Sequence, residues 1–287
     1  PEDSAAYMMY TGGLAKVGYN QPAPAAILNS VFHGLQLPFD KALAVEGKYF
    51  AKLLTDPVAR NIIRTTFISK QAAEKGARRP EGFPKFEAKK VGVLGAGMMG
   101  AGIAFVSANA GIDVVLIDRD TATAQKGKDY SAKVLGKLVE KGKLTQDKAD
   151  AVLARITPTD DFALLDGCDM VVEAVFEDTA IKAETTKKAE AVLPAQAIFA
   201  SNTSTLPRSE LVHGMPHDIA SRFLITHFFN PPRYMPLLEV VAGGEVETSV
   251  IERFCDFANE QLGKRVSMCN DTPGFIGNRL GVFFGQR

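Results

Sequence analysis

The sequence predicts an α/β protein built on a doubly wound, mainly parallel sheet, and three observations carry that expectation. From Val91 onward, short apolar runs alternate with helix-patterned segments; VGVLG, DVVLID, MVVEAV, AIFASN, RFLITHFF and LLEVVA are the expected strands. The first run passes straight into a glycine-spaced turn, Gly95-Ala96-Gly97-Met98-Met99-Gly100, which opens a helix pattern. The second run ends on an acid, Asp118.

Taken in chain order, residues 1–88 read as a helical region without a catalytic cluster. PAPAAILNSVFHGLQL, PFDKALAVEGKYFAKLL and DPVARNIIRTTFISKQAAEK each carry apolar residues at helical spacing. Thr55-Asp56-Pro57 has the form of an N-cap followed by proline in the first turn, and His33 on an apolar face reads as packing. KGARRPEGFPKFEAKK is rich in glycine, proline and charge, which places a linker at about 76–89. The α/β domain follows over 89–270. Its helices are expected around 121–142, around 146–154 and over AIKAETTKKAEAVL, with IERFCDFANEQLG and VSMCN as a last helix and strand. Asp271-Thr272-Pro273-Gly274 reads as the start of another helix, with Thr272 capping. Residues 271–287 are then the beginning of a truncated C-terminal helical domain, because an apolar helix needs a surface to pack on.

Composition narrows the function classes. Of 287 residues, 46% are hydrophobic and 23% charged, as in a soluble globular protein. Lysine plus arginine equals aspartate plus glutamate at 33 each, so no basic excess points to nucleic acid, and phosphate recognition must be local. Cys168, Cys255 and Cys269 are scattered outside any paired spacing, which argues for a reducing compartment and against a zinc site or disulfide framework. No apolar run has the ~18 residues of a transmembrane helix.

The glycine turn has a physical reading. Gly95 permits the sharp exit from the strand, Gly97 lets a pyrophosphate approach the backbone, and Gly100 lets the helix pack closely on the strand. The helix N-terminus offers unpaired N–H groups and a partial positive charge. Asp118 lies about the ~20 residues onward expected of an acid that accepts from ribose hydroxyls. A dinucleotide and a Rossmann-type sheet follow.

A second cluster is His227-Phe228-Phe229-Asn230-Pro231-Pro232, with Glu239 twelve residues after the histidine on the next strand. A carboxylate on one imidazole nitrogen orients the ring and stabilises its cation, leaving the other nitrogen to take a hydroxyl proton. Spacing alone favours the other reading, a strand-end histidine that is merely hydrogen-bonded. Ser201-Asn202-Thr203-Ser204-Thr205 follows a strand and faces the ligand crevice of a doubly wound sheet, or caps a turn. Glu177 and Lys182, five residues apart after VVEAV, read by default as a solvated surface pair. His213 and His217 are separated by Gly214 and Pro216, which break the helix that a metal pair at that spacing needs. No metal is expected.

Together these residues resemble the 3-hydroxyacyl-CoA dehydrogenase family. GAGMMGAG, VVEAVFED, ASNTST, HFFNPP, PLLEV and DTPGFIGNR occur in the family's order from about Lys89 to the C-terminus. The first third is similar to the helical linker that precedes this dehydrogenase in multifunctional fatty-acid oxidation proteins. The resemblance implies NAD-dependent oxidation of (S)-3-hydroxyacyl-CoA to 3-oxoacyl-CoA. It implies His227 as base, Glu239 as its orienting partner, and Ser204 and Asn278 as holders of the substrate oxygen. Gly95, Gly97, Met98, Met99, Gly100, Asp118, Val175, Phe176, Glu177, Lys182, Ser204 and Asn230 match positions that contact NAD. It further implies an acyl-CoA substrate, self-association or membership of a β-oxidation complex with hydratase and thiolase activities, and a bacterial cytoplasm, with the mitochondrial matrix as the other location. A non-catalytic NAD-binding scaffold and a dehydrogenase of a free 3-hydroxy acid are the competing readings.

Overall fold

The computed structural model describes residues 4–17, 20–74 and 84–286. The chain divides into two compact units, residues 1–78 and 79–287.

The first unit is helical: Ser4–Lys16, Pro22–Gly34, Phe39–Thr55 and Pro57–Ile63, the last continuing through a π-helical turn, Arg64–Ser69, into Lys70–Glu74. The three segments with helical periodicity form helices, and Ser4–Lys16 is an additional one. The cap at Pro57 is Asp56, whose carboxylate accepts from Val58 N (2.7 Å) and Ala59 N (3.3 Å). Residues 76–83 of the expected linker lie outside the described residues. The stretch that follows belongs to the second unit and is bonded within it: Phe86 N donates to Asp256 Oδ2, and the Gln261 amide pairs with both Ala88 N and Ala88 O.

The second unit holds one eight-stranded sheet: β1 (Lys90–Leu94), β2 (Asp113–Ile117), β3 (Ile156–Thr159), β4 (Met170–Glu173), β5 (Ile198–Ser201), β6 (Phe223–Phe228), β7 (Leu237–Val241) and β8 (Arg265–Cys269). Their order is β3-β2-β1-β4-β5-β6-β7-β8. The first six run parallel, whereas β7 turns back antiparallel to β6 and β8 follows β7. This is the doubly wound Rossmann-type arrangement, extended at one edge by a reversed pair. β3 escapes the sequence pattern because Ile156-Thr157-Pro158-Thr159 has no apolar run. Its proline fits because β3 is an edge strand.

Both faces of the sheet are covered, so the strands read as nearly continuous apolar runs. One core layer gathers Val91, Val93, Ile103 and Phe254; the other gathers Leu94, Val171 and the stacked pair Phe199–Phe223. Order reverses between β1 and β4, so their carboxyl ends flank an open crevice. The last helix begins at Gly277, and no side chain caps it. The expected capping by Thr272 is not realised, because Gly274 and Phe275 both adopt positive φ (73° and 47°) and break the chain between them and the helix. Among the described residues, no helix is long and apolar enough to cross a membrane.

Candidate active site at the strand ends

The carboxyl ends of β1, β2, β4, β5 and β6 carry almost every residue singled out from the sequence. At β1, Gly95 sits at φ 95°, where a side chain is strained. A Cβ on Gly100 would lie 1.7 Å from the Gly95 carbonyl oxygen, so the helix Met98–Asn109 can start this close to the strand only without one. Gly97 is different: a Cβ there would meet no protein atom within 4 Å. It is the N-cap of the helix, and no side-chain cap takes up the first-turn N–H groups. Asp118, at the end of β2, closes this turn, with Oδ2 accepting from Ala96 N (2.7 Å) and Oδ1 from Arg119 N (2.8 Å). Each carboxylate oxygen retains a lone pair for a hydroxyl donor. An anion-binding helix end beside an acceptor of hydroxyls fits a dinucleotide's pyrophosphate and ribose. Met98 and Phe176 are exposed at the rim, 70% and 77%. Asn230, after β6, reaches the same helix end, with Nδ2 3.5 Å from Met98 Sδ.

The default reading of Glu177 and Lys182 as a surface pair is overturned. Lys182 is 2% exposed, its ammonium held between Glu173 (2.9 and 3.1 Å) and Glu177 (3.2 Å). A buried ammonium needs such partners. Glu173, the last residue of β4, also accepts from Ser201 Oγ (2.6 Å) and Val175 N (2.8 Å). Sequence reasoning passed over Glu173; the signal was an acid embedded in an apolar strand, MVVEAV, which must find a cation. Glu177 in turn accepts from Thr203 Oγ1 (2.5 Å) and Ser204 N (2.9 Å). Partial burial raises its pKa, but these bonds and Lys182 more than offset burial and leave it below the ordinary carboxylate value. Glu177 thereby fixes the loop that carries Ser204.

At β6 the antiparallel partner matters. His227 lies directly opposite Glu239 in the β6–β7 register, and His227 Nδ1 is 2.8 Å from Glu239 Oε2. Both are buried, 6% and 1% exposed. The other oxygen, Oε1, accepts from Ile276 N (3.1 Å) and Gly277 N (2.7 Å) at the start of the last helix. Phe229 and Phe275 flank the imidazole, with ring centroids 4.4 and 5.7 Å away. Sequence reading gave neither phenylalanine a role beside the imidazole. Asn278, on the same helix, donates from Nδ2 to Ser204 O (3.0 Å). Hydrogen bonds, joined by the peptide link from Gly277 to Asn278, therefore connect His227 through Glu239, the helix start, Asn278 and Ser204 to Glu177 and Lys182. His213 and His217 take no part, and among the described residues no cluster of side chains suits a metal.

Residues 90–272 match the family described as 3-hydroxyacyl-CoA dehydrogenase, NAD binding domain. The fatty acid oxidation complex subunit alpha of Pseudomonas paraeruginosa is 37% identical over 271 residues, covering 94% of this chain and 37% of that protein. The protein of the same name from Psychrobacter arcticus is 35% identical over 265 residues, 92% of this chain and 36% of that one. This chain thus spans little more than a third of these relatives. Among solved structures, M. tuberculosis FadB2 superposes with a TM-score of 0.65 at 37% identity, covering 69% of each chain. The (S)-3-hydroxybutyryl-CoA dehydrogenase PaaH1 from Ralstonia eutropha gives 0.64 at 34% identity, covering 68% of each. A glycine turn open to a pyrophosphate and a buried histidine–carboxylate pair across the crevice thus sit in a chain that belongs to the 3-hydroxyacyl-CoA dehydrogenase family and carries its NAD-binding domain.

Proposed function

We propose that this chain is the dehydrogenase portion of a multifunctional fatty-acid oxidation protein and oxidises (S)-3-hydroxyacyl-CoA to 3-oxoacyl-CoA with NAD. The observation that carries this reading is the buried His227 Nδ1–Glu239 Oε2 contact of 2.8 Å at the edge of an NAD-binding crevice. With Nδ1–H donated to Glu239, the imidazole keeps Nε2 as an acceptor, and Nε2 takes the substrate's hydroxyl proton. Glu239 stabilises the resulting imidazolium, and its grip on Ile276 N and Gly277 N keeps the carboxylate from rotating away. Ser204 and Asn278 hold the reacting oxygen as negative charge builds on it. Gly95, Gly97, Gly100, Met98, Met99, Asp118, Val175, Phe176, Glu177, Lys182, Ser204 and Asn230 hold the cofactor. NAD supplies the hydride acceptor. Residues 1–88 serve as a helical linker, and 271–287 begin a helical domain. The names of the relatives support membership of a fatty-acid oxidation complex in a bacterial cytoplasm.

The test is NADH formation from NAD and a short (S)-3-hydroxyacyl-CoA, with the free 3-hydroxy acid as control and NAD binding measured separately by calorimetry. Turnover that requires the thioester is expected. Equal kcat/KM on the free acid overturns the substrate class. NAD binding without any turnover would favour the non-catalytic scaffold.

A further inference from the structure

Lys264 is a buried cation that the mechanism above does not use. It lies just before β8, is 8% exposed, and among the described residues no carboxylate pairs with it. A buried ammonium without a counter-charge is costly and is kept only where its donors are engaged. Its donors are engaged by one short loop: Nζ bonds Pro232 O and donates to Met235 O at 2.9 Å, while the Phe228 ring lies 5.9 Å beneath it. Burial holds its pKa below the ordinary lysine value.

The loop thus gripped is the one that follows His227-Phe228. On its other side it touches the nucleotide helix twice. Asn230 Nδ2 reaches Met98 Sδ, and Pro232 packs on Gly102 so tightly that a Cβ there would lie 2.8 Å from Pro232 Cδ. The loop is therefore held between the N-terminal half of the nucleotide helix and one ammonium on the far edge of the sheet.

We propose that Lys264 is a positioning residue for the cofactor: by binding the Pro232 and Met235 carbonyls it presses the 230–235 loop, and with it Asn230, against the nucleotide-binding helix end. This rests on the NAD-binding reading of the crevice and not on the identity of the acyl substrate. Lys264→Met keeps the unbranched stem and removes the charge and the donors. Removing a buried charge lightens the desolvation cost, so the fold should survive, while two loop carbonyls lose their partner.

The experiment has three readings on the whole chain. Calorimetry with NAD should show Kd raised about tenfold or more in Lys264→Met, with thermal midpoint near that of wild type. Hydrogen exchange should quicken over 230–236 and not over β7 and β8. Where turnover is measurable, KM for NAD should rise while kcat at saturating NAD stays within about threefold. An unchanged Kd overturns the proposal. So does a raised Kd accompanied by exchange spreading through β7 and β8, because Lys264 then supports the edge of the sheet in general. Failure of wild type to use any acyl-CoA leaves the calorimetric and exchange arms standing, so the two readings fail separately.

Discussion

The crevice has two sides that are encoded in different ways. The core of the nucleotide side is local: Gly95, Gly97, Gly100 and Asp118 lie within a single strand–helix–strand unit, and each acts through backbone geometry or one carboxylate. The side proposed for proton transfer is assembled from β6, β7, the loop after β5 and the start of the last helix, and its parts meet only when the sheet is complete. The first side is therefore sensitive to added volume, the second to changed chemistry at fixed volume.

Substitutions can pull the two sides apart. The largest effect is expected from His227→Gln, which should slow the chemical step by ~10²–10⁴ and leave the calorimetric NAD affinity near wild type. Glu239→Gln should slow it by less, because the ring keeps a hydrogen-bond partner but loses its counter-charge. Wild-type turnover in the His227 variant, followed in single-turnover mixing, would remove the base from the mechanism. Gly100→Ala tests the opposite side. A methyl 1.7 Å from the Gly95 oxygen must displace the turn, at about 1–3 kcal/mol of stability, read by denaturant titration, with NAD binding weakened in parallel. If Gly100→Ala binds NAD normally, the close packing of helix on strand is not what shapes the phosphate site.

Smaller effects sharpen the same contrast. NAD should bind more tightly than NADP, by about tenfold, since a 2′-phosphate beside the Asp118 carboxylate places like charges within a few ångströms. Exposed Arg119 next to it softens the difference. Equal affinities in a calorimetric titration would end the assignment of Asp118. The smallest effect concerns acid. Glu177 has its folded pKa below the ordinary 4.5, so its contribution is complete above 4.5 and is lost as pH falls through the lower folded value. The difference in melting temperature between wild type and Glu177→Gln should be constant above 4.5 and shrink as pH falls from there through the folded value. A difference that grows on acidification reverses the sign and rejects the ionised bridge.

The same contrast explains what could be read from the sequence. The glycine turn and Asp118 were legible because their spacing is itself the structure. His227 and Glu239 were visible as residues on neighbouring strands, but their pairing is a matter of register, which twelve residues of separation do not state. Lys182 was misjudged as solvated because its main partner, Glu173, was read as part of an apolar strand. Burial of that carboxylate becomes apparent only once Ser201 of β5 lies alongside. β3 was hidden by Pro158, and Thr272 was credited with a cap that positive φ at Gly274 and Phe275 rules out.

The reversal of direction at β7 has a consequence for how such a site can be altered. Side chains on paired strands alternate faces, so a one-residue slip would send Glu239 to the opposite side of the sheet rather than slightly out of place. The His227–Glu239 distance is therefore intolerant of any insertion or deletion within either strand. Deleting one residue from β7 would separate Glu239 from His227 altogether, whereas point substitutions within the connection, residues 230–235, leave the strands themselves unaltered.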